Sequence, residues 1–163
     1  MKKIAIFDLD GTLTYRDNFK SFMLKILMKS PKKWIFIPYL LLSLLRFFFF
    51  RDSMRRSKLK AIYIRIILKN QKKDFIENEA NKHVDTMINN LNKNVFDYFN
   101  DFKRLKHVTI LATGSLDVYA KYFVKKIGLN FYVATELEIK NFIFTGNILN
   151  SNCIGRNKYS KIN

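Results

Sequence analysis

Four consecutive apolar residues, Ile4 to Phe7, open the chain and break at Asp8-Leu-Asp-Gly11. An uninterrupted apolar run closed by a loop signal predicts a strand buried on both faces. A second such run, Val108 to Ala112, is expected to end in a Thr113-Gly114 turn. No glycine occurs between Gly11 and Gly114, and most of that long stretch has helical character. A parallel crossover needs only one helix, so the excess predicts an inserted, mostly helical module. Val95 to Leu105 is expected to be the helix that leads back to the sheet. After Gly114 the pattern turns to helical spacing, with Leu116, Tyr119, Ala120, Phe123, Val124 and Ile127 on one stripe. Gly128 stands where a C-cap glycine belongs. Phe131 to Ala134 predicts a third strand, and Leu137 to Ile148 a β-hairpin around Lys140-Asn141. Strand, helix and strand in this order imply an α/β fold built on a parallel sheet.

One stretch departs from these periods. Trp34 to Phe50 is almost continuously apolar, interrupted by Pro38 and Arg46 and flanked by Lys32, Lys33 and Arg51. It sits at the short limit for a spanning helix. A buried helix of the inserted module is one reading, and a basic helix lying on a membrane surface is another.

Charge sharpens the second reading. The chain of 163 residues carries a formal net charge of +17. Between Arg16 and Lys73 there are 16 basic residues against two acidic ones, a local balance of +14, so the remainder holds only +3. Such a field attracts anionic partners: phosphorylated small molecules, acidic lipid or nucleic acid. No nucleic-acid-binding motif accompanies the charge, and no partner protein can be inferred. Cys153 is the only cysteine, which excludes an intramolecular disulfide and fits a reducing compartment. The apolar run after Met-Lys-Lys is too short for a secretory signal, so the cytoplasm is the expected location. His83 and His107 have no partners at metal or triad spacing and are expected to be structural or exposed.

The chemistry concentrates at the ends of the first two strands. Asp8 and Asp10 place two carboxylates where a buried strand ends, which is costly unless a positive group compensates them. A divalent cation does so, and Mg²⁺ favours one or two carboxylates together with water and phosphate. Gly11 lets backbone approach a ligand, and Thr113 ends the second strand beside the same crevice, where open α/β sheets bind their ligands.

Phe7-Asp-Leu-Asp-Gly-Thr-Leu-Thr14 resembles the first motif of the haloacid dehalogenase superfamily. Ile110-Leu-Ala-Thr-Gly-Ser115 resembles its second, and Lys158 stands where the lysine of the third is expected. Asn152 to Lys158, Phe144-Thr-Gly146 and Ala134-Thr-Glu-Leu-Glu138 are similar to the phosphoserine-phosphatase-like subfamily, IB. The resemblance implies a Rossmann-like core over 1–15 and 95–163, with a helical cap inserted over 16–94. It further implies a Mg²⁺-dependent phosphomonoesterase acting on a small phosphorylated metabolite. Asp8 is then the nucleophile and a metal ligand, and Asp10 the general acid and base and a second ligand. Thr113 and Lys158 hold the phosphoryl group, joined by amides around Gly11, Thr12 and Gly114. Asp17 matches an acid facing the substrate's amine, or equally the N-cap of the first cap helix. The family's fourth motif, an acidic pair completing the metal shell, is expected after Lys158, but the chain ends at Asn163. That implies a core lacking its C-terminal strands, and a second reading in which the chain is a weakly active or inactive family remnant on an anionic membrane surface.

Overall fold

The computed structural model describes residues 2–49 and 53–149. Three parallel strands, β1 (Ile4–Phe7), β2 (Val108–Leu116) and β3 (Phe131–Thr135), lie in that order in one sheet. Ile4 pairs with Val108 and Phe7 with Leu111, while Ile110 pairs with Phe131. Between β1 and β2 the chain forms α1 (Asn18–Met28), a 3₁₀ helix (Pro31–Phe36), α2 (Ile37–Phe49), α3 (Ser53–Leu68), α4 (Lys73–Ile88) and α5 (Lys93–Arg104). Helix α6 (Asp117–Ile127) joins β2 to β3, and β4 (Leu137–Lys140) and β5 (Ile143–Ile148) make a separate antiparallel hairpin. The mixed α/β class, the parallel sheet, the helical insertion and the hairpin are those expected from the sequence.

Local chemistry accounts for the elements. Asp17 caps α1, its side chain accepting from the Lys20 N–H at 3.0 Å. Gly128, at φ +80°, ends α6 in the left-handed conformation that glycine adopts without penalty. The α6 stripe buries Tyr119, Ala120, Phe123, Val124 and Ile127 against the sheet and α4. The hairpin is not a loose appendage: the Asn70 N–H donates to the Phe144 carbonyl and the Phe144 N–H to the Gln71 carbonyl, both at 2.9 Å. A Cβ at Gly146 would lie 3.0 Å from the Arg65 Cα, so glycine is what lets α3 pack so closely on β5. Insertion and sheet share one core, in which Phe22, Ile26, Ile64 and Leu68 of the helices join Leu9, Leu111 and Phe123.

Three expectations are corrected. β1 is not buried on both faces: Ile4 is 65% and Ile6 51% exposed, because among the described residues β1 has one neighbouring strand and little covers that face. β2 does not turn at Thr113-Gly114; it continues to Leu116 with a register shift after Ala112, so the motif sits within an irregular strand end. The apolar run from Trp34 is not a buried helix. Leu40 is buried, but Trp34, Ile35, Tyr39, Leu41, Leu42 and Leu45 are exposed, and no described helix is long and apolar enough to cross a membrane.

Candidate active site

The loop after β1 is a compact turn held by its own backbone. The Leu13 N–H donates to the Asp8 carbonyl at 3.3 Å, and the Thr14 N–H to the Leu9 carbonyl at 3.0 Å. Leu9 and Leu13 are anchored in the core, while Asp8, Asp10 and Thr12 are half-buried at its edge. Gly11 has φ +74°, where a side chain would be strained, and nothing stands within 4 Å of where its Cβ would be. The backbone there is open to an approaching ligand.

Asp10 is the most elaborately held of these residues. Its Oδ1 accepts from the Asn18 main-chain N–H at 2.8 Å and from Asn18 Nδ2 at 2.7 Å. Its Oδ2 accepts from the Ser115 hydroxyl. Burial holds the Asp10 carboxyl above the ordinary aspartate range, against the lowering effect of the Ser115 and Asn18 donors. A carboxyl fixed in place by three donors, with burial working against its charged form, is held in one geometry at the strand end.

Ser115 links the two strand ends. Its hydroxyl reaches Asp10, while its backbone N–H donates to Thr113 Oγ1 at 3.0 Å. That bond occupies a lone pair of the Thr113 oxygen and leaves its hydroxyl hydrogen to be directed elsewhere. The same peptide unit is gripped at its other end. The Gly114 carbonyl accepts from Thr135 Oγ1 at 2.8 Å and from Lys60 Nζ, which also donates to Thr135 Oγ1 at 3.0 Å. Lys60 comes from α3 of the insertion, is 9% exposed, and lies 5.4 Å from the Phe19 ring centroid. The inserted helices therefore reach the Thr113-Gly114-Ser115 segment through a buried cation.

The expected residues divide accordingly. Asp8, Asp10, Gly11 and Thr12 share the β1 loop, and Thr113 and Gly114 lie on the adjoining strand, tied to Asp10 through Ser115. Asp17 serves as the α1 cap and pairs with Lys20 at 3.1 Å. Lys158 and Cys153 lie outside the described residues. His83 is buried in an aromatic cluster with Phe22 and Tyr119, and His107 packs on Phe102 at the foot of β2. Asn18, Ser115 and Lys60 escape the sequence reading. Ser115 appears there only as the last residue of the second motif, with no role. Lys60 falls on the stripe continued by Ile64, Ile67 and Leu68, a lysine on a buried face.

The oxygens present suit a hard cation. The Asp8 carboxylate and the Asp10 main-chain carbonyl, on one loop, are the oxygens that would hold Mg²⁺, while the Asp10 side chain is engaged by Asn18 and Ser115. One carboxylate, one carbonyl, phosphate and water form an acceptable Mg²⁺ shell. Among the described residues no group of three or more His, Cys, Asp or Glu side chains is clustered to hold a metal by itself.

Comparison with known proteins gives the family and the fold. Protein CicA of Caulobacter vibrioides is 25% identical over 162 residues, which span 98% of this chain and 70% of CicA. A haloacid dehalogenase family hydrolase from Salmonella enterica serovar Typhi superposes with a TM-score of 0.68 at 18% identity, covering 98% of this chain and 49% of that one. Phosphoserine phosphatase in its apo form superposes with a TM-score of 0.61 at 15% identity, over 99% of this chain and 68% of that one. This chain thus spans about half the length of the Salmonella hydrolase. The model of the haloacid dehalogenase-like hydrolases matches residues 5–163, from the first strand through both motifs, and this chain belongs to that family.

Proposed function

We propose that the chain is a Mg²⁺-dependent phosphomonoesterase that hydrolyses a small phosphorylated metabolite through an aspartyl-phosphate on Asp8. The observation that carries this reading is the pair at the end of β1, where Asp10 is a half-buried carboxyl fixed by Asn18 and Ser115 and Asp8 stands two residues before it on the same loop. Two carboxyls held in different environments are suited to two different tasks, nucleophile and acid.

In this reading an Asp8 carboxylate oxygen attacks phosphorus, and the bond from phosphorus to the substrate oxygen breaks. Asp10 gives its proton to that departing oxygen, so the alcohol leaves neutral. Asp10, now ionised, takes a proton from a water molecule. The resulting hydroxide attacks the Asp8-bound phosphorus, releasing orthophosphate and the free Asp8 carboxylate. Thr113 donates to a phosphoryl oxygen, amides around Gly11, Thr12 and Gly114 bind the others, and Lys158 balances their charge. Bound Mg²⁺ would neutralise charge on the phosphoryl oxygens facing Asp8. Asp17, at the mouth of α1, would exchange its Lys20 ion pair for an amine on the substrate while keeping its capping bond. Residues 1–15 and 95–163 serve as the catalytic core and 16–94 as the cap, and the protein works in the cytoplasm. The basic character of the cap raises the local concentration of an anionic substrate.

The test is orthophosphate release from an aryl phosphate, with and without Mg²⁺, by the wild type and by Asp8→Asn. Release that needs Mg²⁺, stops with a chelator and is lost in the variant supports the proposal. A folded wild type with no Mg²⁺-stimulated release, or an Asp8→Asn variant as active as wild type, overturns it.

A further inference from the structure

We propose that the exposed apolar face of the Pro31–Phe36 turn and α2 docks this chain on an anionic lipid surface. This inference is independent of the phosphatase reading. The run that the sequence leaves open between a buried and a surface helix has two faces. Leu40 turns inward at 4% exposure and its carbonyl accepts from the Tyr63 hydroxyl on α3, while Tyr39, Leu41, Leu42 and Leu45 are each more than half exposed. Ile35 is 79% exposed on the 3₁₀ turn, and on α2 the pairs Tyr39/Leu42 and Leu41/Leu45 stand at i, i+3 and i, i+4 spacing, which makes each pair neighbours on the helix surface. Trp34 is 47% exposed although its indole N–H donates to the Leu27 carbonyl at 3.0 Å, so the ring is fixed while much of its surface faces outward. A soluble monomer rarely leaves so much contiguous aliphatic and aromatic surface uncovered.

Charge selects the occupant. From Asn18 to Arg51 there is no Asp or Glu, against seven Lys and Arg. Lys20 pairs with Asp17, and Lys25 and Lys29 pair with Glu79. The positive charge beside the apolar run therefore comes from Lys32, Lys33, Arg46 and Arg51, which flank or interrupt it in sequence. A second copy of the chain would bring the same positive field to the same face, and like charges oppose that association. A nucleic acid would satisfy the charge but not the Leu and Ile centre. An acidic bilayer satisfies both, taking apolar side chains into its interface and basic residues against its headgroups, each worth about 1 kcal/mol near the surface. Trp and Tyr are the side chains that settle at that depth. Length decides between lying on and crossing the bilayer. The 13 residues of α2 extend about 20 Å, short of the roughly 30 Å hydrocarbon core.

Trp34 is the only tryptophan, so its emission reports on this face alone. The experiment mixes the full chain with vesicles of phosphatidylcholine, with or without a large fraction of phosphatidylglycerol. Expected are co-sedimentation with the acidic vesicles, a blue shift of Trp34 emission, and at least a tenfold loss of both in Leu41→Gln/Leu42→Gln/Leu45→Gln. Those three side chains are exposed, so the variant should keep the wild-type circular dichroism and melting temperature. Wild type that stays in the supernatant, equal binding by the triple variant, or Trp34 protected instead by concentration-dependent self-association would each overturn the proposal.

Discussion

Asp10 shows how one side chain acquires a chemical role from its neighbours. Burial favours its neutral form and Ser115 is the strongest opposing donor. Ser115→Ala therefore drives the Asp10 carboxyl further up, and the variant keeps its acid protonated to higher pH. In the proposed reaction the alkaline limb of kcat/KM should move to higher pH, with a loss on the order of tenfold or more because the proton is less well aimed. A pH–rate profile checks both, and a limb that moves to lower pH would sink the assignment. Of this arrangement the sequence displays the two aspartates and the Thr-Gly-Ser run. It does not display that Ser115 bonds to Asp10, because that contact spans 105 positions and depends on how β1 registers against β2.

At the scale of elements, α3 matters more than its sequence suggests. Of its basic residues, Lys60 points inward and Arg65 packs its backbone against Gly146 of the hairpin. Lys60 and Thr135 together fix the Gly114 carbonyl, and the other end of that peptide unit holds Thr113. Lys60→Met should lower kcat on the order of tenfold through a misaligned Thr113, with a smaller effect on KM. Lys60→Arg, which keeps a donor, should recover part of the loss. A change in KM alone would mean that Lys60 only assists binding. Other elements were fully legible: the α6 stripe and its Gly128 cap need nothing beyond local periodicity and a left-handed terminus. The Trp34 to Phe50 run was not, since an apolar pattern fixes a helix without saying whether anything covers its second face.

Across the whole molecule, insertion and core meet where Phe22 of α1, His83 of α4 and Tyr119 of α6 pack together, Tyr119 edge-on to the other two rings. Burial, with a contribution from Lys25, pushes the His83 imidazole down to about 4. The folded chain thus keeps His83 neutral where the unfolded chain, near 6.5, would charge it. The stability from His83 is fully present above about pH 6.5 and drains away as pH falls toward 4. Asp117, raised to about 6 chiefly by burial, acts with the opposite sign, its contribution being present at low pH and lost as pH rises through 6. The two partly cancel in wild type, so the His83 effect is read by difference. Between neutral pH and about pH 4.5, His83→Leu should lose about 2–3 kcal/mol less stability than wild type. Urea unfolding at both pH values measures this, and parallel losses in the two proteins would refute it.

The sequence by itself determined the α/β class, the inserted helices, the α6 cap and the family, because periodicity, glycine placement and short motifs are local properties of the chain. Tertiary structure decided which faces are covered and which polar groups meet. It left Ile4 and Ile6 exposed on β1, turned Leu41, Leu42 and Leu45 outward, and brought Lys60 to Gly114 and Ser115 to Asp10. Burial and long-range hydrogen bonds depend on what packs against a residue from distant parts of the chain, and no local pattern encodes that.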